Sequence, residues 1–146
     1  MCDHCGCREN PPIAELSEEH EQILEVAWQL SERHRTTGIA DGSLRDQLIA
    51  MLDIHVEAEE TALYPLLASC GDLGVIDQSR LEDEHAELGA ALRAGTFDRR
   101  TFYELAAHIE AEETELFPMA MFGFDENDWA VLAATRRFLD ATPVAP

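Results

Sequence analysis

No apolar run in this 146-residue chain approaches the roughly 18 residues that a bilayer-spanning helix requires, so no membrane span is expected. The first residues also lack the basic and apolar regions of a signal peptide, and the expected location is cytoplasmic. Basic residues are few, ten against thirty acidic ones, and the net charge of −20 sets the chain against a phosphate backbone or an anionic membrane surface. Nucleic acid is close to excluded as a partner. Cysteine is scarce and badly spread for a disulfide framework: Cys2, Cys5 and Cys7 crowd the first seven residues, while Cys70 stands alone. No strand candidate exceeds three or four residues. What remains is an all-α chain of one domain's length.

Against these absences stands one stretch that occurs twice. Residues 55–65 read HVEAEETALYP and residues 108–118 read HIEAEETELFP, identical at eight of eleven positions. Each copy sets a His and a Glu four apart, His55 with Glu59 and His108 with Glu112, a spacing that stacks both side chains on one helical face. Two further histidines share a second, looser echo: LSEEHEQI around His20 and LEDEHAEL around His85.

Taken in order, residues 1–11 form a Cys-rich tail and residues 12–141 the helical domain. Asn10, Pro11 and Pro12 mark the start of a helix running from about Pro12 to Arg35, with Ile13, Leu16, Ile23, Leu24, Ala27 and Leu30 as its apolar stripe. His20 falls on that stripe. After a Gly-containing turn, Ser43 and Asp46 resemble a capping box for a second helix, about Leu44 to Ser69, that carries the first repeat copy. Pro65 should kink or loosen its last turn, and Pro118 should do the same in the twin. Asp77 can cap a third helix bearing Leu81, His85, Leu88 and Leu92 and closed by Gly95. Asp98 caps a fourth, Arg99 to about Met121, with the second copy. Asp125 and Asp128 cap a last helix, Glu126 to Ala141, with Trp129, Leu132, Ala133 and Phe138 on its apolar face. The expected architecture is an up-down-up-down four-helix bundle with an additional C-terminal helix and an approximate two-fold axis. Trp28, Trp129, Phe97, Phe102, Phe117 and Phe122 read as core or packing residues.

Most of the acids, interleaved with apolar residues at helical spacing, read as a solvated outer face. Glu59 and Glu112 differ, because they sit where the apolar stripes should continue and no Lys or Arg on those stripes can neutralise them. Buried and ionised, each would cost several kcal/mol unless paired. A bound cation does that job, and imidazole with carboxylate is a suitable ligand set for iron. One His on an apolar stripe is most simply a hydrogen-bonded core residue. Four on four helices, two with a Glu at the same offset, are not independent accidents. His34, at a helix end between Arg33 and Arg35, is explained by the helix dipole alone.

Across about residues 12–140 the pattern His, HxxxE, His, HxxxE resembles the hemerythrin-like proteins of the HHE cation-binding domain family. The resemblance implies two iron ions in a non-haem di-iron centre, oxo- or hydroxo-bridged, with His20, His55, His85 and His108 as terminal ligands and Glu59 and Glu112 as carboxylate bridges. The oxygen-carrying members place a further His one turn after the third-helix His, but residue 89 here is Gly. Water, Glu104 or Tyr103 are the expected substitutes, and Glu113 competes with Glu112 for the last carboxylate position.

The head of the chain, MCDHCGC, resembles the CxxCGC that opens some hydrogenase-maturation nickel GTPases. No phosphate-binding G-x-x-x-x-G-K-[ST] loop accompanies it, so no GTPase activity carries over. Cys2, Cys5 and Cys7, with His4 beside them, form a soft chelator for an extra nickel or zinc ion.

Two functions follow as expectations. In the first, a di-iron centre binds or reacts with a small oxidant, dioxygen, peroxide or nitric oxide. In the second, the chain handles or senses nickel or iron through its Cys tail without catalysis. An apo structural bundle is a third, which buried Glu59 and Glu112 argue against.

Overall fold

The chain enters its first helix through Asn10, whose side chain accepts a hydrogen bond from the Ile13 amide at 3.3 Å. Pro11 and Pro12 fill the first turn, where a missing N–H leaves nothing unpaired. The structure is a computed structural model and describes residues 6–142. A short 3₁₀ turn, Cys7–Glu9, precedes α1, Pro11–Thr37. α2, Gly42–Ala58, runs through a π turn, Glu59–Leu63, into α3, Tyr64–Ser69, and α4 spans Val75–Ala94. α5, Arg99–Ala111, repeats the device, passing through a second π turn, Glu112–Leu116, into α6, Phe117–Gly123, and α7 is Glu126–Ala141. No strand occurs among the described residues. The fold is all-helical, as the periodicity requires.

Contacts of α1 with α2, α2 with α4, α4 with α5 and α5 with α1 close a ring of four rods. α7 lies outside that ring, against α1, α2 and the first π turn. Two apolar clusters fill the interior at different heights. One gathers Ile13, Leu16, Leu63, Leu67, Phe117 and Leu132, and the other gathers Ile23, Leu30, Leu48, Leu52, Leu92 and Phe97. Burying each such side chain stabilises the fold by about 1.5–3 kcal/mol. His20 lies on α1 between Leu16 of the first cluster and Ile23 of the second, so a polar layer separates two greasy ones.

Several local expectations change. The second helix is capped by Asp41, which accepts from the Ser43 and Leu44 amides at 3.1 Å, and not by Ser43; Asp46 is instead paired with Arg45. α4 starts two residues before Asp77, with Gly74 at its cap position. Asp98 and the Asp125–Asp128 box cap as the sequence predicts. Gly38 and Gly95 end α1 and α4 at φ 71°, a left-handed conformation that favours glycine.

Pro65 and Pro118 produce π turns. The Tyr64 amide donates to Glu59 O and the Phe117 amide to Glu112 O, one residue further back than in an α-helix. The wider turn absorbs the hydrogen bond that each proline cannot make, and both rods continue without a break. Phe122 and Phe138 are 89% and 69% exposed, so neither belongs to the core. Phe97 and Phe117 are buried, Phe102 packs edge-on against Trp28, and Trp129 packs against Phe124.

Candidate metal centre

Glu59 and Glu112 each open a π turn, and His55 and His108 sit one helical turn before them. The α-helical turn between His and Glu keeps each pair on one face, aimed at the bundle axis. From α1 and α4, His20 and His85 reach the same level. The structure therefore brings together all six residues singled out by the spacing: His20, His55, Glu59, His85, His108 and Glu112, every one of them buried. They fall into two overlapping groups with metal-ligand spacing, His20 with His55 and His85 with His108, each sharing both Glu59 and Glu112.

The distances make a continuous polar knot. His55 Nε2 lies 2.9 Å from Glu59 Oε1, and His108 Nε2 lies 3.2 Å from Glu112 Oε1. His20 Nε2 is 3.3 Å from Glu112 Oε2 and 3.6 Å from Glu59 Oε1, while His85 Nε2 is 3.4 Å from Glu59 Oε2. His85 and His108 bring their Nε2 atoms within 2.9 Å of each other.

Four outer carboxylates orient these rings. Glu19 Oε2 accepts from His55 Nδ1 at 2.7 Å, Glu84 Oε2 from His108 Nδ1 at 2.5 Å, Glu60 Oε1 from His85 Nδ1 at 2.8 Å and Glu113 Oε1 from His20 Nδ1 at 3.0 Å. An ionised carboxylate only accepts, so each ring carries a proton on Nδ1 and turns Nε2 inward, the nitrogen that becomes a metal ligand once its own proton is displaced. The pattern obeys the pseudo-two-fold. Glu19 and Glu84 precede His20 and His85 in sequence, and adjacent helical residues point about 100° apart, so each reaches the neighbouring rod's His. Glu60 and Glu113 follow Glu59 and Glu112 and do likewise.

Glu19, Glu60 and Glu84 read from the sequence as solvated surface, and Glu113 as a competitor of Glu112. The signal that distinguishes them is their place in the paired dipeptides, EH at 19–20 and 84–85 and EE at 59–60 and 112–113. Glu113 is thereby corrected: it supports His20 and takes a bond from Ser17, and does not displace Glu112. Glu104 is exposed and paired with Arg100, and Tyr103 is 60% exposed, so neither substitutes for the absent fifth His.

The buried tyrosine is Tyr64, which the sequence reading passed over. Its hydroxyl donates to Glu112 Oε1 at 2.5 Å and lies 3.4 Å from His85 Nε2, and its ring stacks on His85. In the other half Phe117 occupies the equivalent repeat position and stacks on His20. The Y/F exchange within the repeat was the available clue.

Burial opposes charge on all four imidazoles, and the carboxylates outweigh it. Glu59 and Glu19 raise His55 to about 9, Glu112 and Glu84 raise His108 to about 9, and His20 and His85 are also raised. Burial pushes Glu59 and Glu112 up, yet the surrounding histidines hold both below the usual carboxylate range. Burial and the Glu59 and Glu112 charges keep the Tyr64 phenol protonated. Even so, His20 Nε2, His55 Nε2, both Glu59 oxygens and Glu112 Oε2 are buried without a hydrogen-bond partner. Native interiors rarely tolerate such atoms, and five inward-facing nitrogens and oxygens fit a metal.

Of the three cysteines in the tail, only Cys7 lies among the described residues. Cys7 is buried in the cluster around Ile13 and Phe117 and is disulfide-bonded, so it offers no thiolate to an extra nickel or zinc ion. Cys2 and Cys5 lie outside the described residues. Cys70 is exposed and free. No helix among the described residues is long and apolar enough to cross a membrane.

Searches of the curated proteins and of the solved structures returned no match. A family model, the hemerythrin HHE cation binding domain, matches residues 11–120, a span that holds α1 to α5, both π turns and all six inner residues and ends within α6. With buried His/Glu clusters able to hold metal at the centre of an all-helical bundle, the chain belongs to the hemerythrin HHE cation-binding domain family.

Proposed function

We propose that this chain holds two iron ions between His20, His55, His85 and His108, with Glu59 and Glu112 spanning both, and that the centre binds or reacts with a small oxidant: dioxygen, peroxide or nitric oxide. The observation that carries the reading is the set of five buried, inward-facing atoms left without hydrogen bonds. Two divalent ions supply charge that the site otherwise takes from protons on its histidines. Bound there, iron is a redox-active Lewis acid with positions left over for a small ligand.

The chain's own residues do the rest. Glu19, Glu60, Glu84 and Glu113 fix ring orientation and tautomer. Tyr64 holds a proton at Glu112 Oε1, beside the His85 ring on which it stacks. The apolar clusters above and below keep water from the layer. Metal loading under reducing conditions, followed by visible spectra before and after dioxygen and peroxide, tests the reading. A charge-transfer band that changes with oxidant supports it; a colourless protein that ignores both overturns it. Consumption of peroxide with turnover makes the chain an enzyme.

A further inference from the structure

The inner layer is close to two-fold symmetric, but its surroundings are not, and the asymmetry has a direction. α7 covers the α1/α2 side. Its Arg136 forms an ion pair with Glu19, the residue that holds His55. Among the described residues no fifth helix covers the symmetry-related α4/α5 side, and α4 and α5 pack less closely than α1 and α2 do. A cleft of about 390 Å³ opens there, with Leu88, Ala91, Leu105, Ala107 and Ala111 as apolar wall and His85 and His108 at its floor. Those two rings are the most exposed of the four, at 8% and 9%, against 1% for His20.

The rim is acidic. Glu84, Glu87 and Glu104 line the cleft against one guanidinium, Arg80. Arg80 is paired with Glu84 at 2.8 Å, and Arg100 nearby with Glu104 at 3.0 Å, while Glu87 has no ion pair among the described residues. No cation is left over to draw in an anion, in a chain of net charge −20.

We propose that the α4/α5 cleft is the access path to the centre, that it delivers ligands to the His85/His108 half, and that its rim favours small neutral molecules over anions. The inference rests on the di-iron reading and narrows it: nitric oxide, dioxygen and hydrogen peroxide are admitted, while azide or superoxide meets a repulsive mouth. The cleft's apolar wall suits neutral solutes. Its field acts on anion arrival and weakens with salt.

The test uses the full chain loaded with iron, with nitric oxide as the neutral probe and azide as the anionic one. Association is followed by rapid mixing in the visible band, and iron per chain is measured in parallel. Ala107→Trp, an exposed α5 position on the cleft wall, slows nitric oxide association by roughly tenfold or more while iron content and the final spectrum stay unchanged. Ala91→Phe, on the opposite wall, does the same and guards against one variant misfolding. Gln22→Trp, in the groove between α1 and α7, leaves the rate alone. Glu87→Arg speeds azide by roughly tenfold at low salt, not nitric oxide, and the gain fades as salt rises. Wall variants that load iron and bind nitric oxide at the normal rate overturn the path. An azide rate indifferent to Glu87→Arg overturns the selectivity. A wild-type chain that takes up no iron overturns the di-iron reading, and this inference with it.

Discussion

At the scale of single residues, the outer carboxylates make the sharpest predictions. Glu19 and Glu84 touch no metal position; they hold His55 and His108 by Nδ1. Replacing either by Ala should lower iron affinity by about 10–100-fold with helicity retained, because the rings lose orientation and basicity. A competition titration against a chelator measures it, and unchanged affinity would contradict the role. Tyr64→Phe makes the two halves alike. Phe117 already fills the matching position, so the variant should fold, and the loss of a hydrogen bond to a charged group should cost the metal-free chain about 1.5–3 kcal/mol. Chemical denaturation reads that difference.

The histidine pKa values give a pH dependence with a definite sign. His55 and His108 titrate at about 9 in the metal-free chain against an ordinary 6.5, so the folded state binds protons more tightly than the unfolded state. That stabilisation is complete below pH 6.5 and is lost as pH rises through about 9. Thermal melts of the metal-free chain should therefore drop over this window. Melts of the iron-loaded chain should not, because the metal replaces the protons. A metal-free chain that gains stability on the way to pH 9 would refute the assignment.

At the scale of elements, the caps and the π turns separate what pattern can reveal from what it cannot. Asp98 and Asp125 cap as their sequence positions require, because a cap is a local event between residues three apart. Asp98→Ala should cost about 1 kcal/mol, seen as a lowered Tm. The π turns were announced only as disturbances, since Pro65 shows that one backbone bond is missing but not whether the rod bends or widens. Widening wins because Glu59, buried at the start of the turn, keeps its place in the layer and the continuing helix keeps Tyr64, Leu67 and their partners packed. The repeat exposed four of the inner six residues, since His and Glu at spacing four is a one-helix property, and the looser echo around His20 and His85 supplied the other two. The supporting role of the outer four was hidden, because Glu19 acts on a ring 36 positions away and only the packing of α1 on α2 makes that contact.

At the scale of the whole molecule, net charge and symmetry dominate. A charge of −20 on 146 residues repels itself, so moderate salt should raise the Tm of the metal-free chain by screening. A Tm that falls with added sodium chloride would show that local ion pairs such as Arg99–Glu32 outweigh the net repulsion. The bundle itself follows from an internal duplication: two helical hairpins, each carrying a His and then a His/Glu pair, meet so that both carboxylates lie in both metal groups. α7 breaks that symmetry from outside and Tyr64 breaks it from inside. The sequence placed α7 in order along the chain, but not against the α1/α2 side, because that choice depends on Leu132 and Arg136 finding partners far away in sequence.

On the proposed reading, the six buried residues form one two-metal centre sharing both carboxylates. An anaerobic iron(II) titration of the metal-free chain, with proton release recorded alongside, tests it most directly. Two irons per chain are expected, with protons released at pH 7 as the raised histidines give way to metal, and with loss of both irons together in Glu59→Gln, since Glu59 belongs to both groups. A single iron per chain, or a Glu59→Gln chain that still binds two with no change in affinity, would contradict it.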